Sequence, residues 1–220
     1  MLRSALAYWM RRKTPVRELC DAAVKRLAPE LTGRVLELGA INPGRREFAT
    51  NATEYLTTNL VGPVDLILDA TKMDLPDQSV DGFLCESVIE HLPDPDRLIS
   101  EVRRVLRVGG RFLLIAPWMY PFHGAPGDYY RFSEPALRAM LNGFHVVHSE
   151  PLGNFWTTAS TSLQLKVSPW RPMAKTERAA RIVAGAPLLA LGLALREVGK
   201  MDRRADDFVP MFCVLAVRKR

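Results

Sequence analysis

Residues 68–117 read LDATKMDLPDQSVDGFLCESVIEHLPDPDRLISEVRRVLRVGGRFLLIAP, and the fold is decided within them. Val80–Cys85 (VDGFLC) is a short apolar run, the pattern of a strand covered on both faces. From Asp96 to Leu106, Leu98, Ile99, Val102, Val105 and Leu106 recur at helical spacing, so this segment is predicted to be an amphipathic helix. Val108-Gly109-Gly110 reads as a turn, and Arg111–Ala116 (RFLLIA) as a second buried strand stopped by Pro117. Strand, helix and strand in this order make a parallel unit whose helix covers one face of a sheet.

Working outward, the same alternation continues. Upstream lie a helix from Pro15 to Ala28, a strand at Arg34–Leu38 running into glycine, and strands at 54–60 and 65–68. Downstream lie a helix at Glu134–Leu141 and strands at Gly143–His148 and Met211–Val217. The acidic residues of 65–96 are expected to be mostly solvated or capping, with Pro93 to Asp96 a helix start. In an open α/β sheet, ligands bind beyond the carboxyl ends of the strands, near the point where strand order reverses. The residues just past each strand therefore matter most. They are Glu37-Leu38-Gly39-Ala40-Ile41-Asn42-Pro43-Gly44, then Asn59, then Asp69, then Glu86 and Ser87. Any one is an ordinary turn or cap residue. Four short polar groups at successive strand ends suit a ligand carrying hydroxyls, an amine and a heteroaromatic edge.

Composition narrows the alternatives. The 220 residues carry 30 Lys+Arg and 24 Asp+Glu, a net charge of +6. Residues 1–33 hold seven Lys/Arg against three Asp/Glu, 34–150 eleven against sixteen, and 151–220 twelve against five. An acidic centre between basic flanks is not the basic stripe of a nucleic-acid binder, so none is expected as a partner. Cys20, Cys85 and Cys213 lie far apart, which excludes a disulfide framework or zinc cluster and favours a reducing, cytoplasmic setting. No metal is expected: His91 follows Glu90 directly, and adjacent residues do not share a helical face. A dinucleotide fingerprint needs three glycines at the first turn, where only Gly39 and Gly44 stand.

VLELGA at 35–40, the 68–117 stretch, and Gly143-Phe144 together resemble class I, Rossmann-like, S-adenosylmethionine-dependent methyltransferases, most closely the small-molecule branch. The resemblance covers roughly 34–150. It implies a three-layer α/β fold, a seven-stranded mostly parallel sheet with an antiparallel last strand. It also implies S-adenosyl-L-methionine as cofactor. By the same resemblance Glu37, Gly39 and Ala40 line the methionine end, Asn59 grips the ribose hydroxyls, Asp69 and Ala70 recognise adenine, and the Cys85–Glu86 backbone lies beside the amino group. The family usually has glycine at Ile41 and an acid at Asn59; the amide lacks the charge-assisted part of such a bond.

Methyl transfer needs orientation more than acid–base chemistry. Candidate catalytic residues follow the fifth strand in PWMYPFHGAPGDYYRFSEPAL: His123 as base, Asp128 and Arg131 as orienters. The structural alternative is that Asp128 and Arg131 pair to pin the loop and Ser133 caps a helix. The chain is expected to be a single methyltransferase domain, 1–220, with an N-terminal helical region at 1–33. Residues 151–207 form an insertion between strands six and seven that shapes the acceptor site. Its apolar stretch Ile182–Leu195 (IVAGAPLLALGLAL), too short and too broken by Pro187 and two glycines to span a membrane, is expected to be a buried helix or broken helix pair. Alternatively it lies on a membrane surface, with the basic residues of 178–204 facing headgroups. The expected activity is methyl transfer to a small or lipid-linked acceptor; the competing reading is a non-catalytic binding or scaffolding relative.

Overall fold

Val80–Glu86, the apolar run at the centre of the quoted stretch, is the middle strand of the sheet. The computed structural model describes residues 14–40, 44–124, 127–167, 174–202 and 208–220, the side chains of Lys175 and Arg178 excepted. Its strands are β1 (Gly33–Leu38), β2 (Ala52–Asn59), β3 (Leu66–Ile67), β4 (Val80–Glu86), β5 (Leu106–Pro117), β6 (Phe144–Leu152) and β7 (Met211–Arg218). Its helices are α1 (Pro15–Leu27), α2 (Pro95–Val105), α3 (Glu134–Met140), α4 (Phe155–Val167), α5 (Lys175–Ala184) and α6 (Ala186–Met201). The strands form one sheet in the order β3-β2-β1-β4-β5-β7-β6. It is mostly parallel with antiparallel last strands.

The expected periodicities hold. On α2, Leu98, Ile99, Val102 and Val105 are all buried, and Phe83, Cys85, Phe112 and Leu114 of the adjacent strands join them in one core. One local expectation fails. Gly109-Gly110 is no turn between helix and strand but part of β5, which begins at Leu106 directly after α2. Gly109 has φ +81° and the β4–β5 register shifts between Val80 and Gly82, so the glycines mark an irregularity in a continuous strand.

The chain divides into two compact units. One, spanning 22–118, 124–150 and 212–220, contains the sheet core; the other has its described residues within 14–21, 119–123 and 151–211. In the second, the Ile182–Leu195 stretch is a broken helix pair, α5 and α6 joined at Gly185. The glycines that weaken it as a membrane span have a packing role. Gly185, Gly192 and Gly199 recur every seven residues and face α4. A Cβ at Gly185 would lie 2.6 Å from Val167, one at Gly199 3.2 Å from Trp156, and Ser160 Oγ donates to the Gly192 carbonyl at 2.6 Å. Asn154 closes the far end, its Nδ2 donating to the carbonyls of Gly199 (3.0 Å) and Asp202 (2.8 Å).

Candidate active site at the carboxyl ends of the strands

Strand order reverses between β1 and β4, and the two end side by side, Leu38 in register with Cys85. This is where an open α/β sheet opens a ligand crevice. Glu37, the penultimate residue of β1, is nearly inaccessible. Its Oε2 accepts the Arg45 N–H at 2.7 Å and the Tyr55 O–H at 2.8 Å. Burial raises the Glu37 carboxyl above its ordinary range, with those two donors acting against it. Gly44 (φ +72°) lies over this carboxylate, where a Cβ would sit 2.5 Å from Oε2. The turn thus needs glycine twice, for its backbone and for its clearance.

Glu86 ends β4 and forms a two-pronged ion pair with Arg45, Nε to Oε2 at 2.8 Å and Nη2 to Oε1 at 3.0 Å. Both side chains are mostly buried. Cys85 is inaccessible, and burial pushes its thiol far up, so it contributes backbone and packing, not a thiolate. Gly39 (φ +68°) leaves no room for a side chain against Val88. Ala40 donates its N–H to the Thr58 carbonyl at 2.8 Å. Asn59 laces the ends of β1 and β2 together: Nδ2 donates to the Ala40 carbonyl at 3.0 Å and Oδ1 accepts the Leu60 N–H at 2.7 Å. Asp69, exposed beyond β3, accepts from the Thr71 N–H (2.8 Å) and hydroxyl (2.7 Å) through Oδ1. Ala70 follows it, half-buried. Ile41, with Asn42 and Pro43, lies outside the described residues.

A second acidic group follows β4. Glu90, in the single turn Ile89–His91, is fully buried, not solvated or capping as expected of these acids. Burial, with Asp128 and Glu86 nearby, pushes its carboxyl up to about 8 against the pull of its backbone hydrogen bond and Arg131. The loop after β5 is stapled to this turn. Tyr129 N–H donates to the Glu90 carbonyl at 2.9 Å, Tyr130 O–H to the Pro93 carbonyl at 3.0 Å, and His91 Nδ1 meets the Gly127 carbonyl. His91 Nε2 lies 3.8 Å from Glu90 Oε1. Asp128 and Arg131 form a two-pronged pair, and Ser133 Oγ accepts the Ala136 N–H to cap α3. The structure therefore brings Asp128 and Arg131 together as loop fasteners. His123 belongs to the other unit, set edge-on against Tyr120 with ring centroids 5.4 Å apart.

Arg45 and Tyr55 join the candidate site although neither stands out in the sequence reading; Arg45 has a signal, a cation directly after the glycine of the first turn, and Tyr55 has none. Glu90 belongs to the Glu-His-x-x-Asp run of 90–94, whose spacing gives no sign of its burial.

The strand order and the mostly parallel sheet are those of the class I, Rossmann-like methyltransferase fold. Residues 32–114, less than half of the chain, match the family described as a methyltransferase domain. An uncharacterized methyltransferase of Mycobacterium sp. (strain KMS) is 35% identical over 98 residues, which are 44% of this chain and 37% of that relative. The match thus spans little more than a third of the relative's length. Among solved structures, the [4+2]-cyclase SpnF superposes with a TM-score of 0.59 at 18% identity, over 90% of this chain and 81% of that one. Phosphoethanolamine N-methyltransferase 2 of Haemonchus contortus, in complex with S-adenosyl-L-methionine, gives 0.58 at 16%, over 91% of this chain and 52% of that one. Both likenesses are of fold.

Proposed function

We propose that this chain binds S-adenosyl-L-methionine at the β1–β4 reversal and transfers its methyl group to a small or lipid-linked acceptor. The observation that carries this reading is the donor set at the strand ends. An acid–arginine cluster (Glu37, Arg45, Glu86) stands at β1 and β4, an amide (Asn59) at β2 and a carboxylate (Asp69) beyond β3. These groups fit the cofactor chemically: charged partners for an amino-acid end, an amide for ribose hydroxyls, a carboxylate for the adenine amine.

When bound, the cofactor would supply a sulfonium methyl for in-line transfer to the acceptor nucleophile, with a neutral thioether as the leaving group. The protein's part is orientation and exclusion of water, since holding reactants at near-attack distance is worth up to about 7–11 kcal/mol. Gly39 and Gly44 let backbone approach the ligand. Asn59 and the Thr58–Ala40 bond keep the β1 and β2 ends together. Asp128 and Arg131 act as positioning residues that fasten the loop after β5. For an acceptor with a proton to lose, His123 is assigned as the base.

The helices of 151–207 are assigned to shaping the acceptor site. Among the described residues no helix is long and apolar enough to cross a membrane. A surface-bound role for 178–204 rests on exposed Val183, Leu188, Leu191 and Met201, more than on charge. Arg181 pairs with Glu177, Arg196 with Glu18 and Glu197, and Lys200 with Glu197, so these cations are already matched. Arg203, Arg204 and the Arg178 side chain lie outside what is described. A small acceptor agrees with the phosphoethanolamine named for the Haemonchus neighbour.

Calorimetric titration tests the cofactor assignment. S-adenosylmethionine and S-adenosylhomocysteine are expected to bind in the micromolar range, and Asp69→Ala to weaken both by roughly tenfold, the worth of a hydrogen bond to a charged group. No binding at millimolar ligand would refute the assignment, and an unchanged affinity in Asp69→Ala would refute the adenine role of Asp69.

A further inference from the structure

Arg103, Arg104 and Arg218 line one cavity of about 500 Å³ in the sheet-bearing unit, together with Ser100, Asn142 and Asp96. Arg103 and Arg104 stand in the last turn of α2, Leu106 opens β5 and Arg218 ends β7. The arginines thus gather where the parallel strands begin, at the edge opposite the β1–β4 crevice. They are held differently. Arg104 is committed, paired with Glu101 and Asp77 and donating to the Leu75 and Met73 carbonyls, both at 2.8 Å. Arg218 is anchored through Nη1 on the carbonyls of Arg104 and Leu106. Arg103 packs against Gly143, where a Cβ would lie 3.1 Å from its Cδ and Nη1. Lys219 N–H in turn donates to the Gly143 carbonyl at 3.0 Å, tying that turn to the end of β7. Among the described residues neither Arg103 nor Arg218 has a carboxylate partner. The helix dipole accounts for cations in the last turn of α2. It accounts neither for Arg218, which arrives on another strand, nor for the concave space in front of both. The carbonyls there already have donors, Arg104 from Gln78 N–H at 3.0 Å and Val105 from Ser79 N–H at 2.9 Å.

Two guanidinium forks with N–H groups to spare suit an acceptor that carries several oxygens and close to two negative charges. A phosphate monoester has both, with about −1.5 to −2 at pH 7, and arginine's planar fork matches its oxygens in pairs. A carboxylate would satisfy one fork and leave the other. Asp96 lies two helical turns from Arg103, about 10 Å along α2, which confines the anionic group to the arginine end. We propose that this cavity is a binding site for a phosphate monoester, Arg103 and Arg218 gripping the phosphate and Ser100 and Asn142 meeting its organic part. The site is separate from the strand-end crevice and does not rest on the cofactor reading.

Two arms on the full chain separate a soluble ligand from a lipid headgroup. Calorimetry uses glycerol 3-phosphate, a soluble monoester. Vesicle flotation uses phosphatidylcholine carrying either phosphatidic acid, a monoester, or phosphatidylglycerol, a diester, at matched surface charge. Arg103→Gln is expected to weaken glycerol 3-phosphate roughly 10- to 100-fold, the worth of a charge-assisted bond. Arg97→Gln removes a charge from the same helix outside the cavity, where Arg97 pairs with Asp94, and should change affinity by less than about twofold. Arg103 is exposed, so its replacement leaves the core untouched; Arg103→Lys, with the charge but no fork, should retain part of the affinity. Binding to phosphatidic acid vesicles alone, lost in Arg103→Gln, would support the site with a lipid as its ligand. Equal losses in Arg97→Gln and Arg103→Gln, or equal binding to both vesicle types without binding of glycerol 3-phosphate, would show general charge attraction and overturn the proposal. So would undiminished binding in Arg103→Gln, or no binding of any probe by the wild type.

Discussion

Two clusters in the sheet-bearing unit have the same ingredients, two carboxyl groups and one arginine, and opposite electrostatic solutions. At the β1–β4 end, Arg45 serves both acids, and Tyr55 adds a hydroxyl to Glu37. Beyond β4, Arg131 is committed to Asp128, whose side chain is wholly buried, and Glu90 is left as the poorer partner. In the first cluster, N–H and O–H donors work against the burial that raises the Glu37 carboxyl. The second keeps one of its acids neutral, because at about 8 the Glu90 carboxyl holds its proton through the neutral range. Like ingredients thus give a donor-rich acid–arginine cluster in one place and a proton-holding joint in the other, depending on where N–H and O–H donors fall.

Glu90→Gln probes this contrast most forcefully. The folded protein holds the Glu90 proton up to about pH 8, whereas an ordinary glutamate gives it up near 4.5. The unfolded chain therefore binds fewer protons between these values, and stability falls as pH rises from 4.5 to 8. By pH 8 the loss is on the order of 4 kcal/mol. Glu90→Gln, neutral at every pH, should remove this slope and leave the variant more stable than wild type at pH 8 and near parity at pH 4.5. Denaturant melts across that range measure it. A wild-type slope that survives the substitution would place the titrating group elsewhere and remove the contrast.

Far more of the fold than of the site was legible in the sequence. The strand runs at 80–85 and 111–116 and the apolar face of 98–106 are one-dimensional patterns, set by burial on one face or both, and so can be read along the chain. The heptad of Gly185, Gly192 and Gly199 is equally periodic, yet its meaning depends on which helix lies opposite. Candidate residues at strand ends can be picked out because topology alone puts them there. Their roles could not, since these depend on partners distant in sequence: Glu37 with Tyr55, Arg45 with Glu86, Glu90 with Asp128 and Arg131. Glu90 stands in the legible Glu-His-x-x-Asp run, yet its burial and raised carboxyl follow from packing that the run does not show. Superposition on a cyclase also shows that fold alone does not determine the chemistry.

Tyr55→Phe sharpens the other half of the comparison. It deletes the hydroxyl from Glu37 while leaving Arg45 in place. A hydrogen bond to a charged group is worth about 1.5–3 kcal/mol, so a loss near 2 is expected at pH 8. The hydroxyl favours the charged form, so its removal should raise the Glu37 carboxyl further and cost less at pH 5. Here the penalty grows with pH, whereas for Glu90→Gln the benefit grows. A pH-independent penalty would mean that Glu37 is not titrating in response to Tyr55, and that the first cluster does not depend on donors to hold its charge.

Ser133→Ala tests whether the second cluster stands on its own fasteners or on the helix behind it. Ser133 Oγ accepts the Ala136 N–H at 3.4 Å, a long cap, and α3 has further anchors. Arg138 pairs with Glu134 one turn along, and Ser149 Oγ donates to the same Glu134 carboxylate at 3.0 Å, tying the helix to β6. Caps average about 1 kcal/mol, and one this long should fall near 0.5. The loop ahead of it is held independently by the Asp128–Arg131 pair and by the bonds to Glu90, His91 and Pro93. Ser133→Ala should therefore lower denaturant stability by about half a kcal/mol and leave the pH slope due to Glu90 intact. If the slope flattened, Glu90 burial would have to depend on the seating of α3, and the two acidic clusters would differ through their supports, not through their donors.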